Sequence, residues 1–138
     1  MDVRIMNARS LEFQALARAW LPGAIAVSSQ ATIALVAFRQ HRPVAFAVLD
    51  WIGGHLGVQH FGFAPPVGGL RSVFPSIRAL WPTVQAVATR LGESRLVIPM
   101  RCDLRQTRWI GKMIAKLGGR CYALADGREW WALPTGEP

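Results

Sequence analysis

Tyrosine occurs once in these 138 residues, and cysteine occurs twice. Each shortage excludes chemistry. Cys102 and Cys121 lie 19 apart, with no CxxC and no neighbouring His pair, so a metal site has no ligand array to build on. Both read as free, partly buried thiols. Cys102 follows a strand, but no partner base is marked that would make it a nucleophile. No apolar run reaches the roughly 18 residues of a membrane helix. The longest, Ala31 to Phe38, is strand-sized. The opening MDVRIMNARS lacks the uninterrupted apolar region and small-residue cleavage site of a signal peptide, so a cytosolic folding compartment is expected. Nucleic-acid modules announce themselves by zinc-ligand arrays, RNP-type aromatic strands or helix-turn-helix spacing, and none of these is present.

What the chain does have is apolar surface and arginine. Apolar residues make up 51% and charged residues 17%, a globular composition with enough length for one domain over 1–138 and too little for two. Basic residues outnumber acidic ones 16 to 8, and all but Lys112 and Lys116 are Arg. The resulting charge of +8 suits an anionic partner such as nucleic acid, a nucleotide cofactor or an acidic protein face. It equally suits a plain solvated basic surface. The cations are spread over two helices and their ends rather than clustered.

Periodicity divides the chain into ten elements. MDVRIMNA opens as a strand. Ser10 is placed to cap a helix with Leu11, Ala15, Leu16, Ala19 and Trp20 on one side, stopped at Pro22-Gly23. Residues 23–30 form a loop. ATIALVAF and VAFAVLDWI are strands around a turn from Arg39 to Pro43, and Gly53-Gly54 turns the chain again. HLGVQHFGF alternates Leu56, Val58 and His60 with Gly57, Gln59 and Phe61. A Pro/Gly loop leads to a helix over 72–91, where Pro75 suits the first turn and Pro82 implies a kink or two short helices. RLVIPMR is a strand. The following helix puts Leu104, Trp109, Ile110, Met113, Ile114 and Leu117 on one stripe, so Trp109 and Ile114 should face the core, and it stops at Gly118-Gly119. CYALADGREWWALP is a hairpin joined at Asp126-Gly127. The six Trp mostly fit core positions, and Trp130 and Trp131 must point to opposite faces of one strand.

This order, β-α-β-β-β-α-β-α-β-β, is an α+β mixed sheet with helices on both faces. It resembles the GNAT (Gcn5-related N-acetyltransferase) superfamily with one of its two early helices reduced. KLGGRCYAL stands where that family has a helix ending in Tyr-x-x-x-Gly-Phe followed by two antiparallel strands. RPVAFAVL stands where it often has xxVGFAxL. The resemblance implies that strands 55–63 and 95–101 run parallel and splay apart. It also implies an acetyl-CoA site with a phosphate-binding loop opening the long helix. APPVGGLRSVFPS occupies that place, so Gly68, Gly69 and Arg71 are the cofactor-binding candidates. Here the Arg follows the glycines, the Gly-x-Gly spacing is missing, and two prolines remove N–H donors.

The family's general acid is a Tyr four residues before the helix-ending Gly. Counting back from Gly118 reaches Ile114, which cannot protonate a thiolate. The single Tyr, Tyr122, falls on the next strand, at an expected half-buried sheet position. The family's general base is often a carboxylate on the 55–63 strand, which has none. His60 or His55 could substitute, or Gln59 could position a water. Asp50 and Asp103 read as turn residues at strand ends.

A retained fold with an altered loop and no acid is similar to the small GNAT-like proteins encoded among the structural genes of short-tailed bacteriophages. The expectation is therefore a protein without acyltransferase activity or cofactor. It would act as a structural or binding component, virion-associated as an internal or head-tail protein, in the virion or the host cytoplasm. Its partners would be other proteins of a larger assembly or an anionic partner. One alternative is an acetyl-CoA-dependent N-acyltransferase. The other is a basic binding module or inhibitor acting on a host system.

Overall fold

Strand β2 (Ile33–Arg39) is apolar at nearly every position rather than at every second one, and so is the middle of β3 (Arg42–Ile52). Such strands are stable only when a sheet is covered on both faces. The computed structural model, which describes residues 1–20, 33–64, 70–103 and 105–135 and the side chains of all these except 70–73, 105 and 106, has that arrangement. With β1 (Asp2–Asn7), β4 (His55–Phe63), β5 (Arg95–Arg101), β6 (Arg120–Ala125) and β7 (Arg128–Pro134), the strands form one seven-stranded sheet in the order β1-β2-β3-β4-β5-β7-β6. All neighbours are antiparallel except β4 and β5, which are parallel, as expected.

Helix α1 (Leu11–Trp20) covers one face. It packs Phe13 and Ala17 with Ala34, Val36, Phe46 and Val48. Helices α2 (Leu70–Arg90) and α3 (Arg105–Lys116) cover the other. There Ile77, Leu80, Val84, Ala88, Ile110, Met113 and Ile114 meet Leu35, Ala47, Leu49, Leu56, Val58, Leu96 and Ile98.

Several local expectations hold. Ser10 caps α1, its hydroxyl accepting from the Phe13 N–H at 3.2 Å. Gly118, at φ +95°, ends α3, and the Gly119 N–H returns to the Ile114 carbonyl at 2.8 Å. This is a Schellman closure that needs a left-handed residue. Asp126 and Gly127 have φ of 55° and 70° and close the β6–β7 hairpin.

Others need correction. The buried side of α1 is Phe13 and Ala17 with half-buried Leu16 and Trp20, while Leu11 is 89% exposed and Ala15 and Ala19 are exposed. Phe13, fully buried edge-on against the Phe46 ring of the sheet, sets the rotation. The turn after β2 is only Gln40-His41, so Arg42 and Pro43 belong to β3.

Helix α2 begins at Leu70 and runs unbroken through Pro75, which is beyond its first turn, and Pro82. Both prolines, and Arg78, lie on the exposed side, where water can satisfy the carbonyl that each proline leaves without a donor. Asp50 is inside β3 and 4% exposed, not a turn residue. Trp109 is half-buried and outside the main cluster, whereas Ile114 is in it at 2% exposure. Cys102 and Cys121 are exposed thiols rather than partly buried ones. The expected loop at 23–30, the stop at Pro22-Gly23, Leu104 and the glycines at 68 and 69 lie outside the described residues.

Candidate functional site at the opening between β4 and β5

The two edges of β4 behave differently. Toward β3 the ladder is continuous, from Ala45↔Phe63 to Ile52↔His55. Toward β5 there is a single pair, Gly57↔Val97. The reason lies at Gly57. A Cβ there would stand 2.6 Å from the Val97 carbonyl oxygen and 2.5 Å from the Ile52 side chain. Only a residue without a side chain lets the two backbones touch. Beyond it, toward Phe63, β4 has no ladder partner on its β5 side among the described residues. This is the splay that the family resemblance implies.

Within the opening β4 carries a bulge. Leu49 pairs with Val58 and Val48 with His60, so Gln59 is the extra residue. One added residue inverts the alternation downstream. Leu56 and Val58 lie on the α2/α3 face, and after the bulge so do Phe61 and Phe63. His60 pairs with Val48 and therefore shares the α1 face, not the face of Leu56 and Val58 that simple alternation assigns it. The next residue on that face, Gly62, lies under the Phe46 ring, which a Cβ would strike. The Phe46 ring is held edge-on by Phe13 at 5.0 Å and stacked by Trp20 at 5.6 Å.

Two of the candidate residues thus come together as neighbours. Both are half-buried. The Gln59 side-chain oxygen is buried with no hydrogen-bond partner among the described residues. Sequence reasoning missed a third residue, Asp50. It pairs with Gly57, two steps along the ladder from Val48↔His60, and so belongs to the same face as His60. Its carboxylate accepts the Trp51 N–H at 2.8 Å. The signal was available: an Asp within the apolar run VAFAVLDWI.

The other candidates are elsewhere. Tyr122 is on the outer edge strand β6, itself an unpaired bulge residue between Cys121 and Ala123, and 57% exposed rather than half-buried. Two strands, β5 and β7, lie between β6 and β4. His55 starts β4 and is exposed. Asp103 is exposed and paired with the Arg101 guanidinium at 2.6 Å. Ile114 is packed in the core, so the position counted back from Gly118 holds no proton donor. Gly68 and Gly69 lie outside the described residues. Arg71 is in the first turn of α2, with its side chain outside them. An open groove of about 530 Å³ at the far edge, lined by Arg4, Phe38 and His41 among others, is remote from this opening.

The opening suits an extended ligand with amide groups. The stretch of β4 without a ladder partner among the described residues offers backbone donors and acceptors, and Gln59 adds a buried acceptor. The pantetheine arm of CoA, with its two amides, matches that donor set.

No protein-family model matches the chain, and no curated protein sequence does. Solved structures do. The ribosomal-protein-S18-alanine N-acetyltransferase from Escherichia coli superposes with a TM-score of 0.62 over 99% of this chain and 96% of its own, at 11% identity. The putative N-acetyltransferase YhhK from E. coli, solved bound to coenzyme A, gives 0.62 over 97% and 99%, also at 11% identity. An aminoglycoside 6'-acetyltransferase of type Ii gives 0.58 over 77% and 70%, at 16% identity. These neighbours are GNAT acetyltransferases, and this chain has the GNAT fold.

Proposed function

We propose that this chain binds CoA or an acyl-CoA thioester along the open edge of β4 and does not transfer the acyl group at a useful rate, acting as a GNAT-fold binding component. The observation that carries the binding half is the β4–β5 opening, bordered by the strand that carries Gln59, whose buried side-chain oxygen has no hydrogen-bond partner among the described residues. A CoA-bound structural neighbour supports the same ligand. Weak turnover follows from Ile114, an apolar, buried side chain where the family's acid would stand. Loss of a positioned acid commonly removes about 10²–10⁴ in rate. The exposed cations Arg108, Lys112 and Lys116, one helical turn apart on α3, would suit an anionic partner. A place in a virion is part of the expectation from sequence, and no feature of the described structure favours it.

The second reading is the N-acyltransferase. Its favouring observation is His60 with buried Asp50 on one face beside the opening. In that reading His60 would take the proton of an amine attacking the thioester carbonyl, as the C–N bond forms and the C–S bond breaks. The released thiolate would take a proton from water.

Titration calorimetry with acetyl-CoA and an acetyl-transfer assay on amines decide between them. Binding without transfer is the expected result. A melting experiment at 100 times the dissociation constant should add about 2.7 kcal/mol. Binding with measurable transfer, lost in His60→Ala, establishes the second reading. No binding overturns both.

A further inference from the structure

We infer that the Gln59 side chain is the acceptor for an amide N–H of the CoA arm, an empty half of a hydrogen bond that the ligand completes. The inference rests on the reading that CoA occupies the opening, and it assigns a role to a residue that fold likeness alone leaves without one.

Three observations converge on it. First, native structures seldom leave a buried side-chain oxygen without a partner, and each exception asks for an explanation. Among the described residues the Gln59 oxygen is such an exception. Secondly, Gln59 is the extra residue of a bulge, a device that re-aims one side chain out of the regular alternation. Thirdly, the bulge lies next to the stretch of β4 that has no β5 partner, two residues from the Gly57↔Val97 contact where the strands part. The orphan acceptor thus belongs to a residue on the stretch of β4 where the pairing with β5 has ended. A hydrogen-bond donor is required, because the orphan atom is an acceptor. The amides of the CoA arm carry such donors, whereas the acyl group and the thioester do not.

An orphan acceptor destabilises the ligand-free protein and strengthens the complex. Its removal should therefore act in opposite directions on the two states. Gln59→Met keeps length and removes the acceptor. By calorimetry it should bind acetyl-CoA about tenfold more weakly than the wild type, a change of about 1.4 kcal/mol. CoA without the acetyl group should lose the same factor, because the contact is with the arm. Ligand-free Gln59→Met should melt a few degrees higher, as expected for relief of a buried unpaired group in a chain of this size. Gln59→Ala, which leaves room for water, should also bind more weakly.

Wild-type affinity in both variants overturns the assignment while leaving the site reading intact. A lower melting temperature for ligand-free Gln59→Met overturns it too, because the oxygen then had a partner. Absence of wild-type binding overturns the site reading and this assignment together.

Discussion

Two residues singled out for chemistry, Gln59 and Tyr122, turn out to occupy the same local device in opposite surroundings. Each is the unpaired residue of a β-bulge. The bulge at Gln59 is in a central strand, between a core packed by α1 and one packed by α2 and α3. The bulge at Tyr122 is on the outer strand of the sheet, with Tyr122 and Leu124 in solvent. In the first case the irregularity inverts which residues reach each core and leaves a polar oxygen buried. In the second it changes only which side chains meet water. A bulge becomes a candidate site through what lies against it, and the residue type at its apex matters less. Tyr, the better proton donor, is at the wrong one.

If that contrast is right, disturbance should be large in the two cores on either side of the β4 bulge and small at the β6 bulge. The largest effect is expected from Phe46→Ala, whose ring lies over Gly62 against Phe13 and Trp20. Denaturant unfolding should show a loss of about 3–5 kcal/mol, and a near-neutral result would mean that the α1 face does not support β4. Ile114→Ala, in the opposite core, should cost about 2–5 kcal/mol. A small cost there would mean that the register of α3 is wrong, and with it the argument that no acid stands at that position. Gly62→Ala places a methyl group against the Phe46 ring and should cost about 1–3 kcal/mol by overpacking. An unchanged melt would show that the ring moves freely and that the bulge is not held from that side. The smallest effect is expected from Tyr122→Ala, within about 0.5 kcal/mol and with acetyl-CoA affinity unchanged. Weakened binding in that variant would erase the distinction between the two bulges.

Much of the fold was legible because it rests on signals local to a few residues. Asp126-Gly127 demands a tight hairpin, Gly118-Gly119 a helix stop, and the double-sided apolar runs of β2 and β3 a covered sheet. The errors share a cause. The α1 stripe was assigned by counting apolar residues, yet Phe13 and its fit against Phe46 set the rotation. Pro82 implies a kink or two short helices, and the buried row Ile77, Leu80, Val84 and Ala88 holds one continuous helix across it, which excludes the two short ones. Asp favours turns, but at Asp50 a buried strand position overrides that preference. In each case a weak local preference met a larger burial term and lost.

For the candidate site the division is sharper. Composition and order determined a mixed sheet, an apolar residue at 114, and Gln59 and His60 on one strand, and the family resemblance implied the parallel step between β4 and β5. Strand alternation then put His60 on the wrong face. A bulge has no reliable sequence signature, since it is settled by the register of the partner strand across the sheet. Tertiary structure alone decided that Gln59 is the unpaired residue, that its oxygen has no partner among the described residues, and that Asp50 shares a face with His60. It also put Tyr122 three strands from β4, on an exposed edge. Those are relations between segments far apart in the chain, and burial against a second element, rather than local propensity, sets their energies.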